Sequence, residues 1–194
     1  MTLHDFLRSR RSVRRFKPDS IPDSVIERIL TTATYAPSAH NLQPWRFVIV
    51  KNPDAKSRLG IALTTKMRLD MQAEDAAELE IEKRVANSLR RINEAPVIIL
   101  LCRDVTAVRV DTPEETIMNI QSTAMAGLQL LLAAHAEGLG GNWICWPLYA
   151  IKETQAVLNL PETWEPQAMI IIGHPNEQSK QKDLKPLNTI SMYL

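Results

Sequence analysis

The chain has few of the residues that carry covalent cross-links, metals or nucleotide loops. Its 194 residues include two cysteines, Cys102 and Cys145, which are far apart and lie in no CxxC or zinc spacing. This excludes a disulfide framework and a zinc site, and it favours a reducing, cytoplasmic setting. The six glycines form no dinucleotide or Walker loop. The four histidines lack ligand spacing, so we expect no metal and name no catalytic side chain.

We expect neither a leader peptide nor a membrane span. No basic leader with an apolar core opens the sequence, and polar residues interrupt its longest apolar stretch, residues 117–136. We expect that stretch to form a buried helix rather than a membrane span. The arginine-rich start is typical of a transit peptide, but Asp5 and an organised helix and loop disfavour that reading.

Positive charge is concentrated in the first 17 residues of a chain whose net charge is only +1. The stretch "RRSVRRF" spans residues 10–16. The only acid in this region is Asp5, and the basic residues are Arg8, Arg10, Arg11, Arg14, Arg15 and Lys17. A local cluster predicts an anion site better than a nucleic-acid surface, which needs basicity over a whole face. Charge alone leaves two readings open: a grip on a phosphate dianion, or a solvated basic face.

Hydrophobic periodicity predicts alternating helices and short strands, hence one α/β or α+β layer around a single sheet. We expect one domain over residues 1–194. A Thr2–Asp5 pair predicts a helix over 3–9, and Pro22 opens a helix that ends near Ala36. The other predicted helices are 66–94 as one or two, 114–137 and 151–158, and the predicted strands are 46–50, 95–102, 143–146 and 168–173.

Polar side chains fill the segment "APSAHNLQPW" at residues 36–45. Its hydroxyl and amide groups both donate and accept, which suits the edge of a planar heteroaromatic ring. A turn that bonds only to itself is the alternative, and it is the more common outcome for such residues. The four tryptophans are expected to be core or interface anchors, and Cys145 a small buried hydrophobe.

These stretches together resemble the nitroreductase family of flavin oxidoreductases. "RRSVRRF", "APSAHNLQPWRFVIV", "GLGGNWICWPL" and "IIIGHP" occur in the order and spacing typical of that family, from about Arg8 to the tail. The "WICWPL" and "LPETWEPQAMIIIGHP" stretches are similar to the subgroup containing the reductase-like domain fused to the deazaflavin glutamyl ligase.

The resemblance implies an α+β fold with a central mixed or antiparallel sheet flanked by helices. It also implies an intertwined homodimer with one FMN in each of two clefts at the subunit interface. Family positions for the phosphate, the ribityl chain and the ring edge match Arg10, Arg11, Ser12 and Arg14, whereas Arg15 has no assigned ligand. The loop that the partner lays on the flavin matches Pro37, Ser38 and Ala39, with Asn41 and Gln43.

Two further stretches complete the implied site. The segment beside the isoalloxazine matches Ile144, Cys145 and Trp146. In the tail, "QKDLKPL" offers Lys182 and Lys185 to the phosphate, but Leu184 stands where the family usually has an arginine. A mid-chain polar contact with the flavin is assigned to either Lys66 or Arg68.

The implied activity is an NAD(P)H-dependent FMN oxidoreductase that reduces nitroaromatic, quinone or similar electron-poor small molecules. A nicotinamide donor delivers hydride to FMN and leaves, and the acceptor then takes the reducing equivalents from the same face. Two alternatives stay open. One is a specialised flavoenzyme acting on a single metabolite, such as a dehydrogenase or a deazaflavin-related reductase. The other is a non-enzymatic flavin- or phosphate-binding module. Neither nucleic acid nor a membrane is an expected partner.

Overall fold

Caps and prolines in the sequence set where the helices begin. A computed structural model describes residues 2–178 and 182–194. Thr2 and Asp5 form the predicted capping box of α1, and Asn52 and Thr112 cap α3 and α5, which each carry proline in the first turn. The helices are α1 Leu3–Ser9, α2 Asp23–Ala33, α3 Pro53–Ala73, α4 Glu78–Glu94, α5 Pro113–Ala136 and α6 Ile151–Leu158.

Four strands form one antiparallel sheet in the order β1-β2-β4-β3. They are β1 Trp45–Val50, β2 Val97–Asp104, β3 Gly140–Ile144 and β4 Trp164–Gly173. All three pairs of these strands are antiparallel. The central strands β2 and β4 are almost continuously buried, because helices cover both faces of the sheet.

Alternate residues of β2 pack into two separate cores. Ile99 and Leu101 face a core that includes residues of α2 and α5. Ile98 and Leu100 face a second core, which is shared with α3 and α4. This core also includes Val13 and Phe16 from residues 10–16, which we call the arginine segment. The period of two along a buried strand therefore places the arginine segment on the α3–α4 side of the sheet.

The structure moves several predicted boundaries. The second strand is Val97–Asp104 rather than 95–102, and the fourth begins at Trp164 rather than at residue 168. α2 ends at Ala33 because residues 34–36 form a turn before Pro37. The predicted helical region 66–94 consists of two helices, the first starting at Pro53. The third strand is Gly140–Ile144 rather than 143–146, because Gly140 and Gly141 already pair with β4 and Trp146 begins a 3₁₀ turn.

Helix α5 is the one helix within residues 2–178 and 182–194 that is long and apolar enough to cross a membrane, with a mean hydropathy of 1.3. Half of that apolar stretch is buried inside the fold, and core helices pass the same criterion. Its opposite face exposes a stripe of apolar side chains at helical spacing, namely Ile117, Ile120, Met125 and Leu128.

Gly127 allows α5 to lie directly against the sheet. A Cβ atom at this position would lie 2.2 Å from a ring carbon of Trp143 and 2.7 Å from Leu101 Cδ2. We therefore expect Gly127→Ala to lower the free energy of unfolding by about 1–2 kcal/mol, because overpacking outweighs the gain in helix propensity. Thermal unfolding should show a midpoint lower by several degrees. An unchanged or higher midpoint would contradict this packing.

Candidate cofactor-binding site

The arginine segment runs in extended form along the edge of the sheet. Ser12 forms a parallel bridge to Gly141 at the start of β3, and the Val13 amide donates to the Gly141 carbonyl at 3.0 Å. Val13 packs against Gly140, where a Cβ atom would come within 2.6 Å of it. The glycines of β3 therefore permit this close approach, which holds the arginines beside the sheet.

The arginine segment and the tail, which is the chain after β4, together line a cavity of about 210 Å³. We call it the arginine cavity. The segment contributes Arg10, Arg11, Ser12 and Arg14, and the tail contributes Glu177 and Lys182. Lys185 does not line this cavity, and Leu184 is exposed. The structure thus brings Lys182, but not Lys185, to the four predicted residues of the N-terminal segment. Glu177 was missed by the sequence reasoning, because a single acid in a tail without periodicity carries no signal.

The arginines of this cavity keep most of their charge uncompensated. Across residues 2–178 and 182–194, the side chains of Arg10, Arg11 and Arg14 form no ion pair. The Arg11 guanidinium instead donates to two backbone carbonyls, at 2.5 Å to Arg8 and 3.0 Å to Arg10. An anion with several acceptor oxygens suits such a cluster, because guanidinium groups bind phosphate through paired hydrogen bonds.

The other end of β3 carries the predicted ring-binding residues. From Gly141 to Ile144 the strand advances about 10 Å, so the two groups of residues lie at opposite ends of β3. Ile144 is buried, Trp146 is half-buried, and the Trp143 indole donates to Cys145 Sγ at 3.2 Å. The predicted burial of Cys145 is wrong, since β3 ends at Ile144 and the next side chain faces outward. Cys102 is the buried thiol, and burial raises its pKa to about 12.

A second cavity, of about 320 Å³, lies between Trp146 and the α3–α4 pair. Lys66 lines this cavity beside Trp146 and pairs with Asp70, four residues along α3. Arg68 instead forms ion pairs with Glu78 and Glu82 on α4, and these interactions raise its pKa. Of the two predicted mid-chain candidates, the geometry therefore favours Lys66.

The polar loop after α2 is bonded largely to itself. Ser38 Oγ accepts a hydrogen bond from the backbone amide of Gln43 at 3.1 Å. The side-chain amide of Gln43 donates to Asn41 Oδ1 at 3.0 Å. Three of its residues, His40, Asn41 and Gln43, have φ between 48° and 55°. Left-handed backbone costs a non-glycine residue of order 1 kcal/mol or more, and such strain is concentrated at functional sites. Pro37, Asn41 and Gln43 remain exposed.

This loop is remote from the arginine cavity within one chain. The Ala39 amide donates to Ser122 Oγ in the first half of α5. His135, near the other end of α5, accompanies Arg10 in a neighbouring cavity and stacks on Phe6. The thirteen residues from Ser122 to His135 span about 20 Å of helix. The single chain therefore does not bring Pro37, Ser38 and Ala39 to the arginines.

The family model described as the Nitroreductase family matches residues 7–174. The chain belongs to the nitroreductase family. That match begins just before the arginine segment and ends just after β4, so it includes both ends of β3 and the strained loop. The subgroup resemblance to the deazaflavin ligase stays a prediction.

Two curated relatives of this chain have different names. A 5,6-dimethylbenzimidazole synthase of Rhodospirillum rubrum is 32% identical over 182 residues, covering 92% of this chain and 84% of the relative. A Bacillus subtilis protein assigned as an NAD(P)H nitroreductase is 30% identical over 188 residues, covering 95% and 90%.

A solved structure confirms the α+β nitroreductase fold. It comes from Desulfovibrio desulfuricans, is assigned to the nitroreductases and contains FMN. The two chains superpose with a TM-score of 0.77 at 25% identity, covering all of this nitroreductase and 97% of the other chain. Among the described residues, no group of three or more His, Cys, Asp or Glu side chains could hold a metal ion.

Proposed function

We propose that this nitroreductase is an FMN-dependent oxidoreductase that uses NAD(P)H to reduce nitroaromatic, quinone or similar electron-poor acceptors. The observation that carries the proposal is the arginine cavity at one end of β3, with Ile144, Cys145 and Trp146 at the other. This arrangement matches a ligand that is anionic at one end and planar at the other. The FMN-bound Desulfovibrio structure and the Bacillus relative support the cofactor and the electron donor.

The chain's own residues would divide the binding between them. Arg10, Arg11, Ser12, Arg14 and Lys182 would hold the phosphate, and their charge offsets the loss of water around a dianion. Ile144 to Trp146 would line the ring, with Lys66 near its edge. Lys185 was also assigned to the phosphate, and it would need the tail to move. When bound, FMN supplies the hydride exchange between donor and acceptor, and the protein supplies position and electrostatics.

A homodimer would complete the site. Because Pro37, Ser38, Ala39, Asn41 and Gln43 lie remote from the arginines of their own chain, a second copy would have to supply them to one flavin. The exposed apolar stripe of α5 next to this loop is the surface that we assign to the partner. The cytoplasmic setting stays a prediction.

A second candidate is a specialised flavoenzyme acting on one metabolite, and the 32% identity to the Rhodospirillum synthase favours it. In that case reduction of nitroaromatics would be incidental. Mass spectrometry of aerated reactions containing FMN and NAD(P)H would test this candidate in the form that the relative's name gives, for which 5,6-dimethylbenzimidazole is the expected product.

The decisive experiment begins with purification. We expect a yellow protein whose chromophore is released on denaturation as FMN, is bleached by NADH or NADPH without oxygen, and is reoxidised by a nitroaromatic. A colourless protein that cannot take up FMN would contradict both enzyme candidates. A bound flavin that neither nicotinamide reduces would favour the specialised flavoenzyme or the non-enzymatic binding module.

A further inference from the structure

Three successive contacts tie the arginine segment to the chain after β4. The Lys17 amide donates to the His174 carbonyl at 2.9 Å, and the Asn176 amide donates to the Arg15 carbonyl at 3.0 Å. At the next position the Arg14 amide donates to Glu177 Oε1 at 2.5 Å. The first two contacts join backbone to backbone, whereas the third uses a side-chain carboxylate. Glu177 thus extends the ladder by one step, up to the middle of "RRSVRRF".

The same carboxylate is exposed and shares a cavity with positively charged side chains. It lines the arginine cavity with Arg10, Arg14 and Lys182. Arg91, in the last turn of α4, also lies close. Its burial, and then the charge of Arg14, lower the pKa of its guanidinium, whereas the charge of Glu177 acts to raise that pKa. Within the part of the chain that the structure describes, the buried Arg91 Nε has no hydrogen-bond partner. A single carboxylate therefore sits among arginines that would otherwise repel one another.

We propose that Glu177 is a positioning residue of the phosphate site, which holds the backbone at Arg14 so that the arginines are in place before the cofactor arrives. The proposal rests on the FMN function inferred above. Its physical basis is preorganisation, because a flexible segment bearing like charges would have to be ordered at the moment of binding, and that ordering lowers affinity. Glu177 would touch neither the flavin ring nor the acceptor, and would act through Arg14.

Two variants separate the hydrogen bond from the charge. Glu177→Gln keeps an acceptor oxygen, and the loss of a negative charge near the phosphate offsets its weaker hydrogen bond. Glu177→Ala removes both. We expect Glu177→Ala to weaken FMN binding at least tenfold and Glu177→Gln to change it less than threefold. Binding of riboflavin, which lacks the phosphate, should change less than twofold in either variant. Glu162→Ala, at an exposed acid elsewhere, is the matched control.

Amide hydrogen exchange supplies a readout that does not depend on FMN. In protein stripped of flavin, residues 10–16 should exchange about tenfold faster in Glu177→Ala than in wild type, and at the wild-type rate in Glu177→Gln. If wild type fails to bind FMN, the proposed function fails, while exchange still tests the role of Glu177. Equal losses in both variants, tighter FMN binding in either, an equal loss for riboflavin, or unchanged exchange would each overturn the proposal.

Discussion

Replacing Arg10 and Arg14 together by alanine is expected to lower FMN affinity by at least about 2 kcal/mol, or roughly thirtyfold. Each charge-assisted contact to a phosphate contributes about 1.5–3 kcal/mol, and both side chains line the same cavity. Fluorescence titration of FMN into flavin-free protein measures the change. The loss should be specific to the phosphate, so riboflavin affinity should stay within twofold.

The matched control removes the same charge from the same segment. Arg8 and Arg15 flank the cluster, are exposed and do not line the arginine cavity. Arg8→Ala with Arg15→Ala should therefore weaken FMN binding only through long-range attraction, by less than about 1 kcal/mol, and that effect should fade with added salt. Equal losses in the two double variants, or no loss in either, would show that the phosphate does not bind in this cavity.

Leu128→Asp is expected to convert the proposed homodimer to a monomer and to abolish FMN retention. Leu128 belongs to the exposed stripe of α5 and is 53% exposed in the single chain. Burying an unpaired carboxylate in an apolar interface costs several kcal/mol, which exceeds what the lost leucine contact alone would cost. Size-exclusion chromatography with light scattering gives the mass, and absorbance near the flavin band gives the FMN content.

Leu69→Asp provides the comparison for this variant. Leu69 is 58% exposed on α3, which packs on the opposite face of the sheet from α5. We expect this variant to keep both the wild-type mass and its flavin. A Leu128→Asp protein that remains dimeric would place the interface elsewhere. A monomer that retains FMN would show that the Pro37–Gln43 loop of a second copy is not needed.

Local sequence signals predicted much of the fold. The Thr2–Asp5 capping box, the apolar run in β2 and the long apolar stretch of α5 each lie within one contiguous segment, and the structure has all three. The residues before position 66 in α3 were missed, because Lys56, Gly60 and Thr64 are buried polar or small residues that blur the apolar period. Burial of Lys56 is possible because its ammonium donates to the Ala95 carbonyl at 2.7 Å.

The site was predictable where one segment carries the chemistry and not where two segments meet. Arg10, Arg11, Ser12 and Arg14 follow one another, so their charge was visible in the sequence. Glu177 lies 163 residues from Arg14, whose backbone amide donates a hydrogen bond to it. The left-handed backbone of Gln43 was equally invisible, because glutamine is not among the residue types that favour positive φ.

The bridge between Ser12 and Gly141 also has a consequence for aggregation. β3 is the last strand of the sheet, and an unprotected edge strand offers its backbone groups to any other chain. The arginine segment covers part of that edge, and its like charges repel a second molecule approaching there. The arginine segment would then serve two purposes. The contacts that hold "RRSVRRF" in position to bind a phosphate also prevent β3 from pairing with a strand of another molecule.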